Sequence, residues 1–282
     1  MLFFNGSACL VSAILLFAGL NTAAAQTAKP LWEAGPGIGL LSLPDYRGSD
    51  QRHLYALPFP YFVYRGERLS VDRQGMRAKL FDSERIHLDA SFTGNFTLRS
   101  ADNRARAGMP SLYPVLEAGP ELVYTIAQAR NSSETHIDFR LATRAAFSLG
   151  GNQIAQRGWT ASPYFRISNV NVFGSGFDLT ATLGLLYGNT KYHQYLYSVD
   201  SDYANGARAA YHAPGGYAGA LSQIAAGRRY GNFWVGGYLR FDALNGASFE
   251  ASPLVRTRQY TAAGLAFAWV LGASSQTGSD RD

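Results

Sequence analysis

The sequence predicts an all-β protein: a transmembrane, antiparallel, up-and-down β-barrel of about twelve strands, with ten as the alternative, in a single domain. Three observations predict it. Long stretches alternate apolar and polar residues with period two, and no comparable stretch carries helical spacing. Charged residues make up 16% of the 282-residue chain, against about 25% in an average soluble protein, and aromatics reach 13%. Beyond residue 25, no apolar run approaches the roughly 18–20 residues that cross a bilayer as a helix, so a polytopic helical membrane protein is excluded.

The chain opens with an apolar run from Val11 to Leu20, followed by Asn21-Thr22 and Ala23-Ala24-Ala25-Gln26. An apolar region of that length before a small-x-small site predicts a secretory signal peptide over 1–25. Residues 26–282 are then the outer-membrane barrel. The single cysteine, Cys9, lies inside the signal, so the mature chain is predicted to hold no disulfide, thiolate metal site or cysteine nucleophile.

Strands are expected at 32–42, 54–64, 67–73, 76–81, 86–98, 114–127, 135–149, 158–168, 177–189, 216–229, 232–244 and 259–271. The first contains Gly35-Pro36-Gly37-Ile38-Gly39. No helix follows and Pro36 lacks an N–H, so these glycines relieve strand crowding rather than cradle a phosphate. The third and fourth are short, and dropping both gives the ten-strand count. The fifth sets Ile86, Leu88, Ala90 and Phe92 against His87, Asp89 and Ser91. The seventh sets Ile137, Phe139, Leu141 and Phe147 against Asp138, Arg140 and Arg144. In the ninth, Phe177, Leu179, Leu183 and Leu185 oppose Asp178, Thr180 and Thr182. Successive strand side chains point to opposite faces, so each segment has one greasy and one polar face. Connections alternate in length as a barrel with a periplasmic N-terminus requires. The long ones, 43–53, 99–113, 150–157, 190–215 and 245–258, are extracellular. The short ones include Arg65-Gly66, 82–85 and Tyr230-Gly231. A secreted sandwich, whose greasy faces would meet each other, is the competing reading.

With greasy faces toward lipid, the lumen is lined by Glu117, Glu121, Asp138, Arg140, Arg144, Arg166, Arg240 and Asp242, beside His87, Asp89 and Asp178. Both signs are mixed, as in a salt-bridged filling or a selective pore. Neither a catalytic nor a metal site is expected. None of the five histidines has Ser two places on, and His87-Leu88-Asp89 and His136-Ile137-Asp138 read as structural ion pairs at the periplasmic end. A pI near 9.3 raises nucleic acid, but the arginines are scattered rather than striped, so no nucleic-acid partner is expected. No cofactor is expected either. The extracellular loops carry Arg104 and Arg106, then Tyr192, Tyr195 and Tyr197, side chains suited to recognition and equally to membrane lipids and anionic lipopolysaccharide.

Six spaced motifs resemble one family. They are Leu31-Trp32-Glu33-Ala34-Gly35-Pro36-Gly37, Pro44-Asp45-Tyr46-Arg47-Gly48-Ser49-Asp50, Pro60-Tyr61-Phe62-Val63-Tyr64-Arg65-Gly66, Gly108-Met109-Pro110, Tyr192-His193-Gln194-Tyr195-Leu196-Tyr197, and Gly246 to Val255. In order and spacing they look like the MipA/OmpV family of outer-membrane proteins. The resemblance implies a barrel without catalysis of its own, localised in the Gram-negative outer membrane. Its name-giving member links a lytic transglycosylase to a penicillin-binding murein synthase in peptidoglycan remodelling. Other members resemble porin-like channels and adhesins, so a small-solute channel and a surface adhesin are the alternatives. One departure is a polar tail, Gly272 to Asp282, after the aromatic Phe267 and Trp269 of the last strand.

Overall fold

The computed structural model describes residues 29–72, 75–95, 102–130, 134–150 and 153–278. The expected signal segment, the end of the fifth strand beyond 95 and the last four residues lie outside them. Twelve strands form one ring: β1 (Trp32–Pro44), β2 (Arg52–Arg65), β3 (Leu69–Asp72), β4 (Gly75–Asp82), β5 (Ile86–Asn95), β6 (Val115–Arg130), β7 (Glu134–Gly150), β8 (Gln153–Val170), β9 (Phe177–Gly188), β10 (Gly216–Tyr230), β11 (Phe233–Ala243) and β12 (Gln259–Trp269). Each pairs antiparallel with the next, and β12 returns to β1 from Gly37 opposite Ala268 to Ser42 opposite Ala263. Closing the ring suits a bilayer core that offers no hydrogen-bond partners, and its thinnest joint is between β2 and β3, which share two residue pairs, Tyr64 opposite Val71 and Arg65 opposite Ser70.

The alternation sets the two faces. Along β8, Trp159, Phe165 and Ile167 are 51%, 51% and 46% exposed, while Thr160, Ser162, Tyr164 and Arg166 face inward. The greasy faces look outward and do not pack on one another, so the sandwich reading fails. Trp32, Phe233 and Trp269 sit exposed at the end of the short turns, with the Phe233 and Trp269 rings stacked 5.6 Å apart. Such rings form the aromatic girdle of a membrane barrel. The long loops, 45–51, 189–215 and 244–258, gather at the opposite end together with 102–114. In outer-membrane barrels the longer loops lie on the extracellular side and the short turns on the periplasmic side.

Three local features depart from the sequence expectation. Residues 153–157 extend β8 instead of forming a loop. The register of β7 and β8 slips between Ala146 and Phe147, opposite Gly158 at φ +129°, and that bulge inverts which positions point inward. A helix, α1 (Thr190–Tyr197), appears where none is expected, started by the Asn189 side chain accepting from the Tyr192 N–H. Last, the polar tail is not free over its described part. Gly272–Ala273 forms β13 against Ala34 and Glu33, the Leu31 N–H donates to the Gln276 carbonyl at 2.8 Å, and Gly278 N–H donates to the Lys29 carbonyl at 2.9 Å.

Candidate functional site

The lumen is built from the inward rows of the strands, and charged groups fill its middle. Glu121 on β6 accepts from Arg140 Nη1 at 3.3 Å, Arg144 Nη2 at 2.7 Å and the Tyr164 hydroxyl at 2.6 Å. Asp138 accepts from Arg140 Nη2 at 3.0 Å and the Thr125 hydroxyl at 3.2 Å. Among the described residues Glu117 takes no arginine. The hydroxyls of Thr160 and Tyr192 donate to it, at 2.9 and 3.0 Å. Higher up, Asp242 is fully buried and holds Arg240 through two bonds, at 2.5 and 2.8 Å, with Arg47 Nε at 3.3 Å. Arg166 points inward beside the Tyr164 ring, 5.4 Å from its centroid. Removing one partner from such a buried pair strands the other charge, so the layer braces the barrel as a unit.

Above this layer is a cavity of about 670 Å³ that touches every strand except β2, β3 and β7's outward row, with Arg47, Tyr46 and Tyr192 as its roof. Below it, between β3 and β7, a second cavity of about 310 Å³ is lined by Arg77, Lys79, Asp82, His87, Asp89 and His136 among others. His87 Nδ1 lies 2.5 Å from Asp82 Oδ1, across the β4–β5 turn, so its carboxylate partner is Asp82 rather than Asp89. On the other side of the turn end, Tyr61, Val63, Trp234, Ala268 and Val270 form an apolar plug, flanked by Glu33 bonded to Arg65 at 3.1 Å and to Arg229.

The loop end is closed. Tyr46, Leu112, Leu196, Tyr197, Val199, Leu244, Phe249 and Leu254, from four separate loops, form one buried cluster. Hydrogen bonds tie the loops to each other. The Tyr46 hydroxyl donates to the Leu254 carbonyl at 2.8 Å, Tyr197 to the Arg47 carbonyl at 3.0 Å, and Ser252 to the Tyr197 carbonyl at 2.7 Å. Asp45, with no exposed surface, accepts from Asn103 at 2.8 Å and lies 2.7 Å from His53 Nδ1. Arg208 donates to the carbonyls of Ala105 and Ala107. Burial raises the pKa of the Tyr46 and Tyr197 hydroxyls, against the pull of Arg106 on the first and Arg47 on the second, so both remain neutral donors.

The loop residues singled out for outward recognition are therefore placed differently. Arg106, Tyr192 and Tyr197 are 4%, 8% and 1% exposed. Arg106 donates to the carbonyls of Leu196 and Pro110 instead of facing solvent. Tyr195 is half-buried, donating to the Tyr113 carbonyl and lying under Arg157, whose guanidinium is 4.4 Å from the ring centroid. Only Arg104 projects, bonded to Gln51. Apolar contacts across the loop end turned these side chains inward, a tertiary effect that local composition does not carry. Sequence reasoning missed Asp45, Arg47 and Tyr260 as lumen and cap residues. The available signal was the motif Pro44 to Asp50, four of whose members are buried here.

The family model of the MltA-interacting protein MipA matches residues 37–271. The chain belongs to that family. Fold and family together make it an outer-membrane β-barrel. No curated protein matches the chain significantly. Among solved structures it is similar to a CymD monoaromatic hydrocarbon channel, at 10% identity over 86% of this chain and 89% of that one, with a TM-score of 0.31. Of the six motifs that carry the resemblance, three place residues in the buried cluster of the cap. Tyr46, Arg47, Tyr197, Phe249 and Leu254, from three motifs remote in sequence, meet there.

Proposed function

We propose that the chain is a non-catalytic scaffold of the Gram-negative outer membrane, exported by a signal peptide over 1–25, whose periplasmic end recruits murein-remodelling enzymes. A lytic transglycosylase is the first partner, as the family resemblance implies, and a penicillin-binding murein synthase the second. The observation that carries the reading is the asymmetry of the two ends. Four interlocked loops seal the outer end, whereas the periplasmic end consists of turns, one of which holds Phe173 97% exposed. A large apolar side chain left in water at the partner-facing end is a docking feature in search of a pocket. Retention of purified lytic transglycosylase on the immobilised barrel at micromolar concentration tests it, and loss of all retention refutes it.

A second reading, a small-solute channel, is favoured by the polar cavities on either side of the ion-paired layer. Planar-bilayer recording separates the two. The scaffold reading expects a silent membrane, because cap and ion pairs obstruct the lumen. An adhesin acting through 190–215 is less favoured, since that segment's aromatics are spent on the cap.

A further inference from the structure

Arg166 is set apart from the other lumen arginines. Arg140 and Arg144 share Glu121, Arg240 and Arg47 share Asp242, and Arg77 has a partner of its own. Among the described residues Arg166 makes no hydrogen bond and no ion pair, and its Nε is buried without a partner. Its guanidinium lies over the Tyr164 ring, 5.4 Å from the centroid. The reason is visible in the register. Asp138 stands directly across from Arg166 in β7, but its carboxylate is turned to Arg140 and Thr125.

The same rung continues on the other side. Arg166 is opposite Thr182 in β9, Thr182 opposite Gln223 in β10, and Gln223 opposite Arg240 in β11. Facing residues on adjacent strands lie about 5 Å apart, so a guanidinium, a hydroxyl and a primary amide form one row. Among the described residues neither Thr182 nor Gln223 bonds any protein group through its side chain, and both line the 670 Å³ cavity with Arg166. Leu41, Leu221, Tyr238 and Tyr260 give part of the cavity wall an apolar or aromatic face, while Glu117 and Glu121, engaged by hydroxyls and arginines, line another part. A buried cation leaves its desolvation uncompensated unless an anion or water meets it, and three unengaged polar groups in one row provide the donors.

We propose that the Arg166–Thr182–Gln223 rung is a binding site for a small organic monocarboxylate, whose carboxylate meets the guanidinium and whose apolar body lies against Tyr238, Tyr260 and Leu221. One planar fork without a partner matches one planar carboxylate, since the two groups bond in parallel. Arg240, at the far end of the rung, is held by both oxygens of Asp242 and adds no second open fork, which disfavours a phosphate dianion. The site is independent of any scaffold role.

The test is calorimetric titration of the detergent-purified, full-length barrel with benzoate, with its neutral analogue benzamide and with inorganic phosphate. Benzoate is expected to bind in preference to both, and Arg166→Gln to weaken it by about tenfold or more, the loss of a charge-assisted pair. No benzoate binding, equal binding of benzamide, tighter binding of phosphate, or unchanged affinity in Arg166→Gln overturns the proposal. Should that variant fail to fold, the double variant Thr182→Val with Gln223→Leu keeps the charge and removes only the flanking donors. A fall in affinity of about fivefold is then expected, and an unchanged affinity overturns the site.

Discussion

The rings of Tyr197 and Phe249 stack face to face, their centroids 3.7 Å apart and their planes inclined by 8°. One belongs to the β9–β10 loop and the other to the β11–β12 loop, and both are fully buried. His193 adds its ring edge to Phe249 at 4.7 Å. The stack is therefore a clasp between two separate loops of the cap. Phe249→Ala removes a buried ring, at a cost of about 3–5 kcal/mol. The loss falls on the cap, because no barrel strand contributes to the clasp. Limited proteolysis within 190–215 should accelerate strongly, while the β signal of the barrel in detergent persists.

His193 makes the cap sensitive to acid. Its Nδ1–H donates to the Pro214 carbonyl at 2.8 Å, and its Nε2 is buried against Gly188 without a partner. Burial lowers its pKa, opposed by the Pro214 bond and assisted by Arg47. A folded-state pKa below the ordinary value near 6.5 means the unfolded loop binds the proton more readily. The cap thus has its full stability above that value and loses it as pH falls through and below it. Protease sensitivity of 190–215 should rise on acidification from neutral pH, and His193→Phe should abolish that rise.

Glu121 and Glu117 lie two turns of the alternation apart on β6, yet substitution should affect them unequally. Glu121→Gln leaves Arg144 without a carboxylate while Arg140 keeps Asp138, and stranding a buried charge costs about 3–5 kcal/mol. Glu117→Gln disturbs only bonds from hydroxyls, worth about 1 kcal/mol each. Urea unfolding in micelles should show the first variant markedly weaker than the second.

Phe173 sits in the left-handed region, at φ +50°, in the β8–β9 turn. An L side chain there costs about 1–2 kcal/mol, which glycine does not incur. Phe173→Gly should therefore leave the barrel equally or slightly more stable to urea. If the exposed ring serves a periplasmic partner, the same substitution should reduce retention of lytic transglycosylase.

Gly35 is where the closing seam is tightest. A Cβ on it would lie against the backbone carbonyl of Trp269 and near the Leu271 nitrogen. Backbone cannot step aside as a flexible side chain can, so Gly35→Ala should hinder closure. Its measure is loss of the compact, heat-modifiable band on electrophoresis.

Strands were legible because lipid outside and water or ion pairs inside impose period two on each of them. The expected starts of the fifth, sixth and seventh strands fall within one residue of those observed. The inward charges could be placed for the same reason. The bulge at Gly158 was not legible, since one inserted residue inverts the alternation without altering composition. Nor was α1, whose two turns are too short for a helical period to emerge among three tyrosines and a histidine. The cap escaped for a different reason: Tyr197 bonds the Arg47 carbonyl across half the chain, and no local pattern encodes that contact.

The pairing of residues 272–278 with 29–34 has a consequence for biogenesis. Every other strand contact joins neighbours in sequence, so hairpins can form one after another as the polypeptide emerges. The seam joins the first and last segments, which carry the greatest loop-closure entropy and must wait for the carboxyl end to arrive. Until then both margins of the sheet remain open to the assembly machinery. The tail acts as a zipper's final teeth on a seam that β12 has already joined to β1, and a chain cut before β12 would be left as an unsealed ribbon.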